Sequence, residues 1–210
     1  MPQVASRGPG RPPAAKADET RKRIVRAARQ VFSERGYDGA TFQAIAMRAD
    51  LTRPAINHYF ASKRVLYGEV ADRTNDLVVS AGVDRARKET TLIARVTAFI
   101  TVAMEVDAQN PCTAAFLATA VLDSQRHPEL RRDENDAVRM TREFLVWAVN
   151  DAVSSGELAA DVEVDSLAEV LLLVLCGVGF YAGFVGDYQQ VQNILDTLRQ
   201  LIAGSVWTPQ

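Results

Sequence analysis

The sequence predicts an all-α protein, and three observations support this fold class. Apolar residues recur at the spacing i, i+3, i+4 and i+7 in one segment after another, as on the buried face of a helix. No sustained alternation of polar and β-branched residues indicates a sheet. Proline is scarce after Pro13. The breaks between the apolar segments carry residues that end helices, namely Asn110-Pro111, His127-Pro128, Gly156 and Gly186-Asp187.

Residues 1–18 are expected to form a flexible basic arm, because they are rich in Pro, Gly, Ala and basic residues and hold few apolar groups to bury. The first predicted helix covers about residues 20–35 and ends at Gly36, a suitable C-cap. One stripe of this helix faces a core, and it consists of Ile24, Ala27, Ala28, Val31 and Phe32.

The next two helices are short and separated by a tight turn. Thr41 is a suitable N-cap for the second helix, and Thr52 is one for the third, which has Pro54 in its first turn. A helix, a turn of about three to four residues and a short helix make a helix-turn-helix. Asp50 stands in this turn, where Gly is usual, and Asp tolerates a left-handed backbone better than most residues.

Ser62 caps a fourth predicted helix, and five more follow it. They cover roughly residues 91–109, 113–124, 128–155, 165–185 and 188–206. The most apolar segment, residues 170–185, is shorter than the roughly 20 residues that cross a bilayer. Because it is apolar nearly all round, we interpret it as a helix buried in an interface and expect no membrane contact.

Charge is distributed unevenly along the chain. Residues 1–64 hold 13 Lys or Arg and 5 Asp or Glu. Residues 65–210 hold 11 Lys or Arg and 21 Asp or Glu, so the whole chain has a net charge of −2. A basic end on an acidic body is expected when one end faces a polyanion. A solvated basic helix face would give the same count.

Two isolated cysteines, Cys112 and Cys176, lie in apolar stretches without a neighbouring cysteine or histidine. We interpret them as small core residues in a reducing compartment, and we expect neither a disulfide nor a metal site. The N-terminus lacks the apolar stretch of a signal peptide, which favours a cytoplasmic location.

Residues 20–73 resemble the DNA-binding region of the TetR family of transcriptional regulators in both motif order and spacing. Asp50 and Asn57 depart from the family pattern, which usually has Gly and an aromatic residue there, and Asn57 could change which bases are read. The matching motifs are Ile24-Val25-Arg26-Ala27-Ala28, Val31-Phe32, Gly36-Tyr37-Asp38-Gly39-Ala40-Thr41, Ile45-Ala46, Arg48-Ala49, Leu51-Thr52, Ile56-Asn57-His58-Tyr59-Phe60 and Ser62-Lys63.

The resemblance implies an N-terminal three-helix helix-turn-helix DNA-binding domain over residues 19–66 and a C-terminal helical ligand-binding and dimerisation domain over residues 67–210. Arg53 can contact a guanine edge or a phosphate, and Asn57 an adenine or a backbone oxygen. Each of these side chains could instead be a solvated polar group. The candidate DNA-binding residues are Thr41, Gln43, Thr52, Arg53, Pro54, Asn57, His58, Tyr59 and Lys63, of which Tyr59 and Lys63 are expected to hold phosphates.

The arm resembles an AT-hook, a Gly-Arg-Pro element that lies in narrow A·T minor grooves. Arg7 and Arg11 would point into the groove, where the potential is most negative. A disordered solubilising tail remains the alternative. A two-fold dimer should bind double-stranded DNA at a pseudo-palindromic operator, with half-sites about one helical turn, or a multiple of it, apart.

For the C-terminal domain, the resemblance implies a dimer interface on the last two helices and a ligand pocket inside each subunit. Few charged residues lie on the central helices, which favours an apolar or amphipathic effector. The candidate pocket residues are Phe99, Met104, Phe116, Met140, Phe144, Trp147 and Phe180, which could equally be core residues. The candidate interface residues are Leu172, Leu175, Gly179, Phe184, Leu195, Leu198 and Ile202.

Together these features predict a sequence-specific DNA-binding transcription regulator, most simply a repressor released by a small-molecule effector. The alternative is a DNA-binding regulator whose C-terminal domain only dimerises or docks a protein. An enzyme is disfavoured, because the sequence has no nucleophile motif, Gly-rich phosphate loop or metal-ligand spacing. We expect no cofactor.

Overall fold

A computed structural model describes residues 13–131 and 136–202, and within these ranges it confirms the all-helical prediction, with no strand. A π-helical segment, Asp76–Ser80, joins the fourth helix to the fifth, and a 3-10 turn, Pro128–Leu130, follows the seventh. The α-helices are α1 (Pro13–Gly39), α2 (Phe42–Arg48), α3 (Arg53–Tyr59), α4 (Lys63–Asn75), α5 (Ala81–Ala86), α6 (Leu92–Gln109), α7 (Thr113–Arg126), α8 (Ala137–Ser154), α9 (Val164–Phe184) and α10 (Tyr188–Ile202).

Local sequence signals correctly predicted the helix-turn-helix. The hydroxyls of Thr41, Thr52 and Ser62 accept hydrogen bonds from the backbone N–H groups three residues later, at 3.1, 3.3 and 3.2 Å. Each such cap typically stabilises a helix by about 1 kcal/mol. Asp50 adopts a positive φ of 51°, as its place in the turn predicted.

Two predicted boundaries were wrong. Helix α1 begins at Pro13, so residues 13–18 are helical rather than part of a flexible arm, and proline is well suited to a first helical position. The helix predicted for residues 128–155 is a 3-10 turn followed by α8, which begins after Asp136. The Asp136 carboxylate accepts a hydrogen bond from the N–H of Arg139 at 2.9 Å, and this cap starts the new helix.

The helices enclose two hydrophobic cores. The first lies among α1–α4, where Phe32, Ile45, Ile56 and Phe60 are almost fully buried. The second lies among α5, α6, α8, α9 and α10. Phe116 of α7 belongs to the first core, although α7 also packs along α9 of the second. Helix α7 is therefore shared between the two halves of the molecule.

The apolar helix α9 has 21 residues, the predicted length, and begins one residue earlier than predicted. Among the described residues it is the helix whose length and composition would suffice to cross a membrane. One side of α9 packs into the second core through Ala168, Leu171 and Leu172. The cysteines differ from the expectation of two core residues, because both are free thiols but Cys112 is only half-buried and Cys176 is exposed.

Candidate DNA-binding surface and ligand cavity

Helix α3 presents a polar face to solvent. Arg53, Pro54, Asn57 and His58 are all exposed, and the three- and four-residue spacings place them on one face of the helix. Ile56 on the opposite face is fully buried and fixes the helix to the first core. This geometry leaves the guanidinium and amide groups accessible to base edges.

Three further predicted contacts lie at the starts of α2 and α3. Thr41, Gln43 and Thr52 are exposed. Because the Thr41 and Thr52 hydroxyls accept their capping bonds, each O–H remains available as a donor to a phosphate oxygen. Arg7 and Arg11 of the arm lie outside the described residues.

An arginine on α1 fixes the C-terminal end of α3, and sequence reasoning did not identify it. The Arg21 Nε atom donates to Glu69 of α4 at 2.8 Å, and Nη1 donates to the carbonyl of Tyr59 at 3.4 Å. The same guanidinium lies 4.5 Å from the ring centre of Phe60. Glu69 also pairs with Arg73 at 2.6 Å. These contacts link α1, α3 and α4, so α3 moves with the whole first core.

Lys63 has protein partners instead of an open position on the DNA-binding face. Its Nζ atom donates to the carbonyls of Tyr37 at 2.6 Å and Ala40 at 3.2 Å, and it lies 4.3 Å from the Tyr37 ring centre. The lysine thereby satisfies carbonyls at the end of α1. A phosphate contact by Lys63 would compete with these bonds, so the structure favours a positioning role. Tyr59, the last residue of α3, is half-buried.

The C-terminal end of α7 is bonded to the last residues of α1, which follow a kink at Gly36. The chain turns at Gly36, with a φ of 66°, and directs the N–H of Tyr37 to the Asp123 carboxylate at 3.1 Å. The Tyr67 hydroxyl of α4 donates to the same oxygen at 3.2 Å. Asp123 is buried. Burial, followed by the adjacent Asp123 charge, raises the pKa of the Tyr67 phenol, so this hydroxyl stays protonated.

The N-terminal end of α7 makes a second bond to α1. Arg29 is buried, and its Nη1 donates to the Thr113 hydroxyl at 2.7 Å. Burial lowers the pKa of Arg29 below its usual range, and its Nε has no hydrogen-bond partner among the described atoms. Both ends of α7 are thus bonded to α1, the first helix of the first core.

His127 adds a titratable contact at the same junction. Its Nε2 lies 2.9 Å from Asp38, and its Nδ1 lies 3.3 Å from Glu129. The hydrogen bond to Asp38, with the further carboxylate of Glu129, raises the pKa of His127 above its ordinary value. The imidazolium therefore stabilises the junction when it is protonated.

This contact predicts a pH-dependent difference between the wild type and His127→Gln. Because the pKa is higher in the folded chain, the stabilisation is complete below the unfolded value of about 6.5 and is lost as the pH rises through the folded pKa. Urea unfolding from pH 5.5 to pH 8.5 should show the wild-type advantage shrinking with rising pH. Parallel pH curves for the two proteins would show that His127 carries no linked charge at this junction.

A cavity of about 600 Å³ opens among α6–α10. Its walls are mainly apolar, and Phe99, Met104 and Phe180 of the seven predicted pocket residues line it. The polar lining includes Thr113 and Thr141, which the sequence analysis did not select because isolated threonines carry no pattern. Within the described part of the chain, no three His, Cys, Asp or Glu side chains come together as a metal site requires.

The other four predicted pocket residues lie elsewhere. Phe144 stacks behind Phe99, with ring centres 5.6 Å apart, and supports the cavity wall. Met140 packs against the second core, and Phe116 is buried in the first. Trp147 is exposed.

The outer faces of α9 and α10 carry the apolar surface expected of an interface. Only some of the predicted interface residues lie on these faces. Leu172 and Leu195 are buried inside the protomer, and the side chain of Ile202 lies outside the described set. Phe184 is half exposed, and Leu175, Gly179 and Leu198 are partly buried. The exposed apolar side chains on the two helices are Val170, Leu173, Phe180, Phe184, Ile194 and Leu201.

Comparison with known proteins identifies both halves of the chain. A model of the bacterial regulatory proteins of the tetR family matches residues 24–70. A model of the tetracyclin repressor-like C-terminal domain matches residues 91–198, about half of the chain. The first match covers the helix-turn-helix, and the second covers most of the cavity lining and the exposed apolar faces of α9 and α10.

Individual proteins are similar over most of their length. The HTH-type transcriptional regulator SrpR of Pseudomonas putida is 30% identical over 92% of this chain and 86% of its own. The HTH-type transcriptional repressor AcnR of Corynebacterium jeikeium is 26% identical over 86% of this chain and 88% of its own. The structure of the transcriptional regulator FadR from Bacillus subtilis, in complex with stearoyl-CoA, superposes with a TM-score of 0.69 at 18% identity, covering 87% of this chain and 98% of its own.

Proposed function

The chain belongs to the TetR family of bacterial transcriptional regulators, and from this premise we propose that it is a homodimeric repressor released from its operator by a small effector. In this proposal α3 reads base edges in the major groove, and the starts of α2 and α3 hold phosphates. The similar repressor AcnR supports repression as the outcome. We further propose that the protein regulates rather than catalyses, and that it acts in the cytoplasm without membrane contact.

The observation that carries this proposal is the position of α7 between the cavity and the DNA-binding domain. Five residues of α7 line the cavity, from Thr113 to Val121. At the N-terminal end of α7, Thr113 accepts a hydrogen bond from Arg29 of α1. At the C-terminal end, Asp123 accepts one from the N–H of Tyr37 of α1. A ligand that displaces α7 must therefore move α1 or break these bonds.

Such a displacement acts on DNA through geometry. Because α3 is fixed to α1 through Arg21, a shift of α1 changes the distance between the two α3 helices of a dimer. Only one spacing fits half-sites about one helical turn apart, or a multiple of it. An effector that binds the other spacing more tightly shifts the population away from DNA. FadR, solved with stearoyl-CoA, supports an effector with a long apolar part.

The dimer is proposed to form through the exposed apolar faces of α9 and α10. Leu173, 71% exposed, and Phe184, 50% exposed, lie on one stripe of α9. Side chains of this size seldom form a continuous exposed stripe in a monomer. Burial of α9 against a second copy also accounts for its length and apolar composition without a membrane.

The test of this function is genome-wide footprinting of the protein in its own cells, followed by binding to the recovered fragment in vitro. We expect a recurrent pseudo-palindrome upstream of a coherent set of genes, and higher expression of those genes when the protein is deleted. Lower expression after deletion would identify an activator. A protein that binds all fragments equally would contradict sequence-specific regulation.

Arg53→Ala should weaken operator binding by about 10- to 100-fold, because one good contact to a base edge contributes about 1–3 kcal/mol. Fluorescence anisotropy at fixed salt measures the loss. The matched control is Arg139→Ala, which removes the same charge from the exposed surface of α8 and should leave affinity unchanged. Equal affinity of Arg53→Ala and wild type would show that Arg53 does not contact DNA.

A further inference from the structure

Helices α7 and α9 approach each other very closely near the end of α9. A Cβ atom on Gly183 would lie 2.7 Å from the backbone nitrogen of Ala115 and 3.1 Å from the carbonyl carbon of Ala114. Non-bonded carbon atoms pack about 3.5–4.0 Å apart, and a helical backbone cannot rotate out of the way as a side chain can. Glycine at position 183 is therefore what allows the two helices to meet at this distance.

The same two helices are separated one turn earlier in α9. A Cβ atom on Gly179 would have no atom within 4 Å among the described residues, apart from its own helix. Residues four apart lie on nearly the same face of a helix, so Gly179 and Gly183 both face α7. The cavity of about 600 Å³ fills the gap, and its lining here includes Gly179 and Cys176 of α9 with Leu117 and Ala118 of α7. This part of the cavity, which is narrow at Gly183 and open at Gly179, is called the α7–α9 wedge.

The N-terminal end of α7, at the narrow end of the wedge, is fixed on three sides. Thr113 accepts a hydrogen bond of 2.7 Å from the buried Arg29 of α1. Asp107 of α6 accepts one of 2.9 Å from the N–H of Ala114. The close contact with Gly183 of α9 is the third attachment. A displacement of this end would have to move α1, α6 and α9 together.

The C-terminal half of α7 is attached to the DNA-binding end of the molecule. Ala120 packs against the first core. Asp123 accepts hydrogen bonds from the Tyr37 N–H and the Tyr67 hydroxyl, at 3.1 and 3.2 Å. Val121, on the wedge side, lines the cavity and is 42% exposed. This half can therefore move away from α9 if the first core moves with it.

We propose that a ligand is sensed in the α7–α9 wedge, and that the contact at Gly183 is the pivot about which α7 turns. A ligand that fills the wedge separates the C-terminal half of α7 from α9, while Thr113 and Arg29 stay in place. Helix α1 then rotates about Arg29, because Asp123 displaces its C-terminal end, and α3 moves with it. This inference rests on the proposed function, and it assigns the part of the cavity and the residue that direct the motion.

Two alanine substitutions test the contact at the pivot. Alanine in place of glycine inside a helix normally stabilises a protein, because the unfolded chain loses backbone freedom. Gly179→Ala should therefore raise the urea midpoint of unfolding or leave it unchanged, since its Cβ atom enters open space. Gly183→Ala, at the same protein concentration, should lower the midpoint, since its Cβ atom has no room beside α7. A midpoint of Gly183→Ala equal to or above that of Gly179→Ala would overturn the pivot.

Gly179→Leu tests the wedge without a ligand, in the full chain and on the footprinted operator fragment. Its side chain fills the space that a ligand would fill, so operator affinity measured by fluorescence anisotropy should fall about tenfold or more. Ala118→Leu fills the wedge from the α7 side and should reproduce the loss, whereas Gly179→Ala should bind as the wild type does. Circular dichroism and sedimentation velocity check that the variants keep the fold and the oligomeric state of the wild type. Wild-type affinity in a folded leucine variant would overturn the proposal.

The moving end of α7 is tested by combining Gly179→Leu with Asp123→Ala. If the displacement reaches α1 through Asp123, the loss of affinity caused by Gly179→Leu should be much smaller when Asp123 is absent. A general weakening of the fold would instead add to the effect of Asp123→Ala. An equal or larger loss in the Asp123→Ala background would therefore overturn the assignment of the moving end.

These results also separate the inference from the proposed function. If footprinting with the wild type finds no operator, the proposed function fails before any variant is compared. If the wild type binds an operator and the leucine variants bind it equally well, the regulatory function stands and the wedge is wrong.

Discussion

Phe184→Glu should convert the proposed dimer to monomers and weaken operator binding by about 100-fold or more. Phe184 is 50% exposed at the C-terminal end of the α9 stripe, outside the cavity lining. In a two-fold interface the substitution introduces two carboxylates into an apolar contact, and such unpaired or like charges cost several kcal/mol. A monomer can then contact only one half-site of the operator, so its affinity for the operator falls.

Sedimentation velocity measures the dimer fraction, and anisotropy on the footprinted fragment measures the affinity. Leu122→Glu is the matched control, because Leu122 is 58% exposed on α7 and does not belong to the exposed faces of α9 and α10. It should remain dimeric and bind DNA as the wild type does. If Phe184→Glu stays dimeric at the same concentrations, the interface lies on another surface.

Asp123→Ala should lower the free energy of unfolding by about 2–4 kcal/mol, since it removes a buried acceptor and leaves two donors without partners. The Asp123 carboxylate holds the Tyr37 N–H at 3.1 Å and the Tyr67 hydroxyl at 3.2 Å. Both donors belong to the DNA-binding end, whereas Asp123 belongs to α7. The loss should therefore also weaken the link between effector binding and DNA release.

Asp123→Asn provides the comparison, because its amide oxygen can still accept from one or both donors. We expect it to lose less stability than Asp123→Ala in urea unfolding monitored by circular dichroism. If Asp123→Ala has the same urea midpoint of unfolding as the wild type, the hydrogen bonds at this junction make no net contribution to the free energy of unfolding.

Much of the DNA-binding end could be predicted because its signals are local. Thr41, Thr52 and Ser62 cap helices through donors three residues away, and Asp50 turns the chain through its own φ. Such interactions depend only on nearby sequence, so they can be read before any tertiary contact is known. The exposed face of α3 followed from the same spacing, because Ile56 fixes which side is buried.

The hydrogen bonds between residues far apart in the chain had no such signal. Arg21 and Glu69 are 48 residues apart, Arg29 and Thr113 are 84 apart, and Tyr37 and Asp123 are 86 apart. At these separations the sequence does not show whether a charged or polar side chain is solvated or has a protein partner. Lys63 illustrates the difference, since the resemblance implied a phosphate contact but gave no sign of the bonds that its Nζ donates to the carbonyls of Tyr37 and Ala40.

The sequence by itself determined the helical class, the helix-turn-helix and its caps, and the family, because these depend on periodicity and on spacing over a few residues. Only the tertiary structure decided which side of α9 faces the core. Helix α9 has apolar residues on all its sides, so the periodicity of the sequence could not distinguish buried Leu172 from exposed Leu173. Only the packing of α6–α10 brought Asp107 and Asp187, 80 positions apart in the chain, to one cavity. Side-chain burial and long-range pairing depend on which helices meet, and that is a property of the folded chain as a whole.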